Sequence, residues 1–366
     1  MSIAARSEVI GSLLRPARLT EARASLDRGE IEPAEFKQVE DSCVDDAIAL
    51  QERAGIEVIT DGEMRRYAFY GHLIDSFEGF DREGGWGIAF RDESGEELTL
   101  RRPVVVEKLR WKRNMCSEEW TYFRGRTRHL GKTTMLSVQQ AAAYYDPKKS
   151  ADAYPTRDEY MADVVDLSRR EIAELARLGC TYVQIDAPQY AALLDPKLRE
   201  GYRERGADPD RLLASSIEMD NAVIAGHPGM TFGIHICRGN NQSKFYAEGG
   251  YEPISHVLTG TKFDRFLLEY DDERSGGFEV LKRVPSDRVV VLGLVTTKKP
   301  RLESKEELLA RIREASRHID EERLALSPQC GFASTWQGNK VTEEDQRQKL
   351  ELVAATAREA WSAVRR

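Results

Sequence analysis

The 366-residue chain has no apolar run long enough to span a bilayer, and its opening stretch, MSIAARSEVIGSLL, has no signal-peptide core. Both absences predict a cytoplasmic protein that does not engage a membrane. Basic charge is not in excess either: 54 Lys and Arg against 62 Asp and Glu leave a net charge of -8. Phosphate backbones attract basic surfaces, so this balance argues against nucleic-acid binding. Cysteine is scarce, with five residues scattered singly at 43, 116, 180, 237 and 330. That odd, dispersed set makes no disulfide framework and fits a reducing compartment, where grouped cysteine and histidine point to metal binding or catalysis. No G-x-G-x-x-G or G-x-x-x-x-G-K-[ST] follows an apolar run, which removes the main support for a nucleotide-binding sheet.

What is present is an ordinary globular composition, 41% hydrophobic and 32% charged, in a chain long enough for one large α/β domain. Short, β-branched-rich runs read as buried parallel strands: GIEVIT (55–60), TYVQID (181–186), TFGIHIC (231–237), RFLLEYDD (265–272), RVVVLGLV (288–295) and RLALSPQCG (323–331). Helical patterns lie between them. Thr156 and Glu159 form a capping box ahead of Met161, Val164, Val165, Ile172 and Leu175, with a stop near Gly179; Ser304 and Glu307 do the same for the next, and Thr342 opens the last. This alternation predicts a single (β/α)8 barrel domain over 1–366. Residues 80–133 break the rhythm and read as an antiparallel insertion over the C-terminal mouth. Within it, RRPVVVEKLRWKR (101–113) reads as a solvated strand-and-turn face, and Trp86, Trp111 and Trp120 as packing for its hairpins or as lining for a second substrate pocket.

In a parallel barrel, reactive groups stand at the C-terminal strand ends. Here those ends supply Glu63, Asp186, His235 with Cys237, Glu269 and Cys330. Residues two apart on a strand share a face, so the imidazole and thiol of H-x-C project side by side. Alone, that pair is better explained by a buried histidine beside a core cysteine. With Glu269 and Cys330 it makes a nitrogen, oxygen and two-sulfur set of the kind that Zn2+ takes tetrahedrally. Glu63 after Asp-Gly also suits a plain turn, and Asp186 before Ala-Pro a helix cap.

The segments IGS (10–12), DGE (61–63), QIDAP (184–188), HIC (235–237), LEY (268–270) and SPQCG (327–331) stand in one order and spacing. Taken together the chain resembles the C-terminal catalytic barrel of cobalamin-independent methionine synthase over nearly its whole length. It looks like the short single-barrel relatives, which include core methionine synthases and epoxyalkane:coenzyme M transferases. The resemblance implies that His235, Cys237, Glu269 and Cys330 ligate zinc, and that Glu63 and Asp186 hold the amino group of homocysteine. Ile10, Gly11 and Ser12 would then receive its carboxylate. The implied activity is zinc-dependent alkylation of a small thiol, with Glu269 the ligand that yields to substrate sulfur.

Two departures bear on the alkyl donor. The family's DEPA is DAPQ here, with Ala187 after the aspartate. Lys298, in VTTKKPRLES, stands where the family has a histidine thought to protonate the folate nitrogen. Lysine, with a pKa of about 10.4, donates protons poorly at neutral pH, so the expected donor is not conventional methyltetrahydrofolate. Another methyl donor, a corrinoid or corrinoid protein, or an epoxide each fits an activated thiol. Coenzyme M, a sulfonate, would need a cation, for which Arg65, Arg66 and Arg238 are the candidates. A non-catalytic barrel with structural zinc is the reading from another class, and a homo-oligomer is compatible with all of these.

Overall fold

The computed structural model describes residues 3–204 and 206–362. Each of the apolar runs becomes a strand because its β-branched and aliphatic side chains are covered on both faces, as parallel strands require. In chain order the strands are β1 (Val58–Ile59), β2 (Phe77–Asp81), β3 (Gly87–Arg91), β4 (Glu97–Arg101), β5 (Val104–Trp111) and β6 (Leu130–Gly131). They continue with β7 (Thr133–Leu136), β8 (Tyr182–Asp186), β9 (Thr231–Ile236), β10 (Arg265–Glu269), β11 (Val289–Val295) and β12 (Leu324–Pro328).

The main sheet has six strands in the order β12-β11-β10-β9-β8-β7, every pair parallel. β1 pairs in parallel with β6, and the chain passes from β6 into β7 through Lys132, whose amide donates to the Ile59 carbonyl at 3.0 Å. On the far side Ser7 bridges Leu326 of β12 and Glu8 bridges Val58 of β1, both in parallel. Hydrogen bonding therefore runs from β12 through Ser7 and Glu8 to β1, β6 and back to β7. Buried charge joins these edges: Glu8 accepts from Arg265 at 2.8 and 3.0 Å, from Tyr182 at 2.9 Å and from Lys132.

Helices cover the outside of the sheet. Thr156 accepts from the Glu159 amide to start the helix Arg157–Arg177, which buries Met161, Val164, Ile172 and Leu175. Ser304 with Glu307, and Thr342 with Asp345, form full capping boxes for the helices Lys305–Ala315 and Glu343–Ala360. Ile10, Leu267, Val291 and Ala325 form a small separate core cluster. At roughly 1.5–3 kcal/mol for each large aliphatic side chain buried, such packing fixes the strand register.

The segment expected as antiparallel over 80–133 differs at both ends. β2 and β5 pair antiparallel, as do β3 and β4, so this pairing begins at Phe77 and ends at Trp111. Beyond it, Ser117–Arg124 is a helix, and Leu130 to Thr133 lie in the parallel strands β6 and β7. The hairpin is tied to the loop after β9 by an antiparallel bridge from Arg91 to Phe245. No helix among the described residues is long and apolar enough to cross a membrane.

Candidate active site

β9 carries His235 near its end, with Cys237 just beyond it, and the turn after β12 carries Cys330. These residues each bring a ligand atom within 4.8 Å of the other two, all buried. His235 Nδ1 lies 3.1 Å from the Leu267 carbonyl oxygen, which fixes the ring so that Nδ1–H donates. Its Nε2 has no hydrogen-bond partner. An imidazole anchored through one nitrogen with the other free is the arrangement of a metal ligand. Gly331 lets Cys330 approach: a Cβ there would stand 2.8 Å from the Ser12 amide nitrogen and 3.0 Å from its carbonyl oxygen.

The two thiols are shifted in opposite directions. A hydrogen bond from Cys237, and then the His235 ring, hold the Cys330 thiol well below its ordinary value against the opposing effect of burial. Cys237, the donor of that bond, is pushed well above. Burial disfavours the His235 cation, but Cys330 and Asp186 outweigh it and raise the imidazole. Two sulfurs and an imidazole nitrogen gathered within 4.8 Å of one another fit a thiophilic divalent cation.

Glu269, expected as the fourth member, stands outside that group. Its Oε2 accepts from the Arg238 amide at 2.7 Å, and its Oε1 lies 3.7 Å from both Lys298 Nζ and Arg274 Nη2. Burial raises its pKa, but Lys298, Arg238 and Arg274 prevail and hold it at about 2. Lys298 is buried, without a hydrogen-bond partner, and lines a separate cavity with Asp271 and Arg274.

The remaining expected residues gather in one cavity, where Ile10, Gly11, Ser12, Glu63 and Asp186 line the walls with His235, Cys237 and Cys330. Glu63 sits at φ +53 in the turn after β1. Its carboxylate accepts from Ser12 and from Thr134 at 2.5 Å, with Arg66 at 3.4 Å. The Ser12 hydroxyl, expected to face a substrate carboxylate, thus points at Glu63. Gln184 Nε2 donates to the Ile10 carbonyl and to Asp186, each at 2.7 Å. Burial pushes the Asp186 carboxyl up to about 7, against the pull of His235.

Several groups escaped the sequence reading. Arg102, taken as part of a solvated face, turns into the cavity wall beside Gln189 and Tyr246, whereas Arg101 and Arg110 are exposed. The doublet RR offers no local signal of which arginine turns inward. The cations considered for a sulfonate are occupied. Arg65 pairs with Glu40 and Asp41, and Arg66 with Glu119. Arg238 donates to the carbonyls of Gly249 and Ser275. Trp120 is buried and donates to the Leu178 carbonyl. Trp111 is exposed, and Trp86 lines an outer cavity.

Parallel α/β architecture with a sulfur-rich cavity at the strand ends is the setting of a thiol-directed enzyme, and comparison with known proteins gives the family. A family model described as cobalamin-independent synthase, catalytic domain, matches residues 6–357. The chain belongs to the cobalamin-independent methionine synthase family, the methyltransferase-like group that the sequence motifs indicated. It is 32% identical over 361 residues to the uncharacterized protein YxjH of Bacillus subtilis, covering 97% of this chain and 94% of that one. It is 24% identical to a methionine synthase of Pyrococcus abyssi, over 89% of this chain and 86% of that one. The fold is shared with a B12-independent methionine synthase from Shewanella sp. W3-18-1, solved with selenomethionine, at a TM-score of 0.76, 18% identity and 98% coverage of both chains. The family's cobalamin independence gives no support to the corrinoid donor that the sequence left open.

Proposed function

We propose that this protein is a zinc-dependent thiol S-alkyltransferase that methylates homocysteine to methionine. The fold reads as one catalytic domain over 1–366, a closed (β/α)8 barrel with its site at the C-terminal strand ends. The observation that carries the proposal is the meeting of His235, Cys237 and Cys330 within 4.8 Å, the His235 Nε2 unpartnered, in one cavity with Glu63 and Asp186. Those three residues, with Glu269, would hold the ion. When bound, zinc supplies a deprotonated substrate sulfur at neutral pH.

The rest of the chemistry belongs to the chain. Glu63 and Asp186 bind the substrate ammonium, which wants carboxylates when taken out of water. The backbone around Ile10 to Ser12 receives the carboxylate. Apolar walls from Phe69, Tyr144 and Tyr246 exclude water from the sulfur. Lys298, Arg238 and Arg274 keep the Glu269 carboxylate ionised where it stands beside the sulfurs. Position 298 holds a lysine that lines a separate cavity and supplies no good acid to a folate nitrogen, so the donor is read as other than conventional methyltetrahydrofolate. Homocysteine is preferred to coenzyme M because Glu63 and Asp186 offer carboxylates to an ammonium, which coenzyme M does not have.

The test is a donor screen on zinc-loaded protein with homocysteine, reading S-methylated product by mass spectrometry. X-ray absorption at zinc is the companion measurement, with oxygen lost and sulfur gained as thiol is added. An unchanged coordination shell under saturating homocysteine and coenzyme M would leave the ion a structural role only.

A further inference from the structure

Arg102 belongs to two cavities at once. It lines the inner one, with the sulfurs, and an outer one of about 680 Å³ that also includes Trp86 and Tyr202. Ile88, Gln189 and Tyr246 are likewise shared, so the two spaces meet at this arginine. Its backbone is clamped. The Arg102 amide donates to the Trp86 carbonyl at 3.0 Å, and its carbonyl accepts from Gly85 at 2.9 Å. A Cβ on Gly85 would fall 2.6 Å from that carbonyl oxygen, so only glycine permits the approach. The hairpin therefore holds Arg102 on the cavity wall rather than leaving it to swing in solvent.

What the guanidinium lacks is a counterion. Among the described residues its side-chain hydrogen bond is a long one of 3.4 Å to the Gln189 amide oxygen, and its buried Nε has no hydrogen-bond partner. Among the described residues, no carboxylate lies within ion-pair distance of it. Arginines elsewhere in the fold differ: Arg66 is matched by Glu119 and Arg274 by Asp272. Burial lowers the Arg102 pKa, and only the tyrosine hydroxyls of Tyr246, Tyr202 and Tyr144 work the other way. A half-buried guanidinium whose Nε is closed off from water, walled by aromatic and aliphatic groups, is a fork open to an oxyanion.

We propose that Arg102 is the anion-recognition residue of the second-substrate chamber, and that the alkyl donor is an organic oxyanion whose charged group pairs with this guanidinium while its apolar body lies between the hairpin and the aromatic wall. This inference rests on the thiol-alkylation reading above. The acceptor's own charges have Glu63, Asp186 and the Ile10–Ser12 backbone at the inner end, so the unmatched cation at the junction falls to the other substrate. Arg102 is a binding and specificity residue here, and the reacting atoms are left to the inner cavity.

The experiment is calorimetry on the zinc-loaded full chain with phenylacetate and its neutral isostere phenylacetamide. Benzenesulfonate and phenylphosphonate are added to identify which oxyanion suits the fork. The wild type is expected to bind the best of these anions about tenfold or more tightly than the amide, as a charge-assisted bidentate pair should. Arg102→Gln is expected to erase that preference, and Arg102→Lys to keep part of it. Homocysteine affinity and zinc content should stay at wild-type values in both variants. Those two readings separate this inference from the broader one, because they fail in the wild type if the thiol-alkylation reading is wrong. Equal or absent binding of the anions by wild type, or a preference that survives Arg102→Gln, overturns the proposal. Loss of homocysteine affinity in Arg102→Gln overturns it as well, by assigning the residue to the acceptor.

Discussion

Lys298 Nζ and Glu269 Oε1 stand 3.7 Å apart in the interior, neither with a hydrogen-bond partner of its own. The carboxylate lies outside the group of His235, Cys237 and Cys330, and the lysine is the foremost of the charges that hold it ionised. Glu269 is thus provided with a resting place beside the sulfurs, made by cations from β11's following loop and from the loops after β9 and β10.

The pairing predicts an acid limb. In the metal-free protein the folded pKa of Glu269, about 2, lies below its ordinary 4.5. The stability it contributes is therefore present above pH 4.5 and lost as pH falls towards 2. Lys298→Met should move this limb upward by about one pH unit, because the carboxylate keeps only Arg238 and Arg274. Urea midpoints between pH 2 and pH 5 check it, and coincident limbs for variant and parent would refute it.

Metal content should separate the ligand set from the substrate set. Cys237→Ala and Cys330→Ser are expected to weaken zinc binding by roughly 100-fold or more, beyond what loss of an outer hydrogen bond costs. Glu63→Gln should keep zinc at wild-type stoichiometry while weakening homocysteine. Elemental analysis after dialysis against a chelator, with calorimetry for the thiol, decides between them. Normal homocysteine binding by Glu63→Gln would remove the substrate assignment and leave the metal site standing.

Asp186 predicts opposite effects on stability and binding. Its folded pKa, about 7, is above its ordinary 3.8, so the folded state favours the neutral acid. That stabilisation is complete below pH 3.8 and disappears as pH rises through about 7. Asp186→Asn should accordingly stabilise the metal-free protein at pH 8, by an amount on the order of 2–4 kcal/mol. The ammonium of homocysteine needs the carboxylate, so wild-type affinity should climb through pH 7 and the variant should show a flat, weaker profile. A destabilised Asp186→Asn at pH 8 would contradict the burial argument.

At the opposite end of the strands, Glu8 answers the charges of Arg265 and Lys132. Glu8→Gln leaves two buried cations without a carboxylate, and is expected to cost about 3–5 kcal/mol. Guanidinium denaturation measures it, and a change below 1 kcal/mol, about the worth of an exposed pair, would show that water reaches this cluster.

Much of this was legible in order along the chain. RFLLEYDD and TFGIHIC announce their strands because an unbroken apolar run has only the inside of a sheet to occupy, and the polar residue that ends each run marks a strand end. β6 and β7 were not legible. HLGKTTML is short and interrupted by Lys132, whose burial beside Glu8 makes sense only once residues more than a hundred positions apart are neighbours. Ser7 and Glu8 have no periodicity at all, and their strand pairing exists because β12 and β1 flank them.

The sequence by itself determined the apolar runs, the helix caps and the chemical identities gathered at the strand ends, since these depend on periodicity and on residue types acting over a few positions. Only the tertiary structure decided where the charges settle. Glu269 turns to Lys298 and Arg274 instead of the sulfurs, Ser12 turns to Glu63, and Arg102 turns inward under the clamp of Gly85. Each orientation is the outcome of electrostatic and steric contacts between segments remote in sequence, and a one-dimensional pattern does not record which of them will meet.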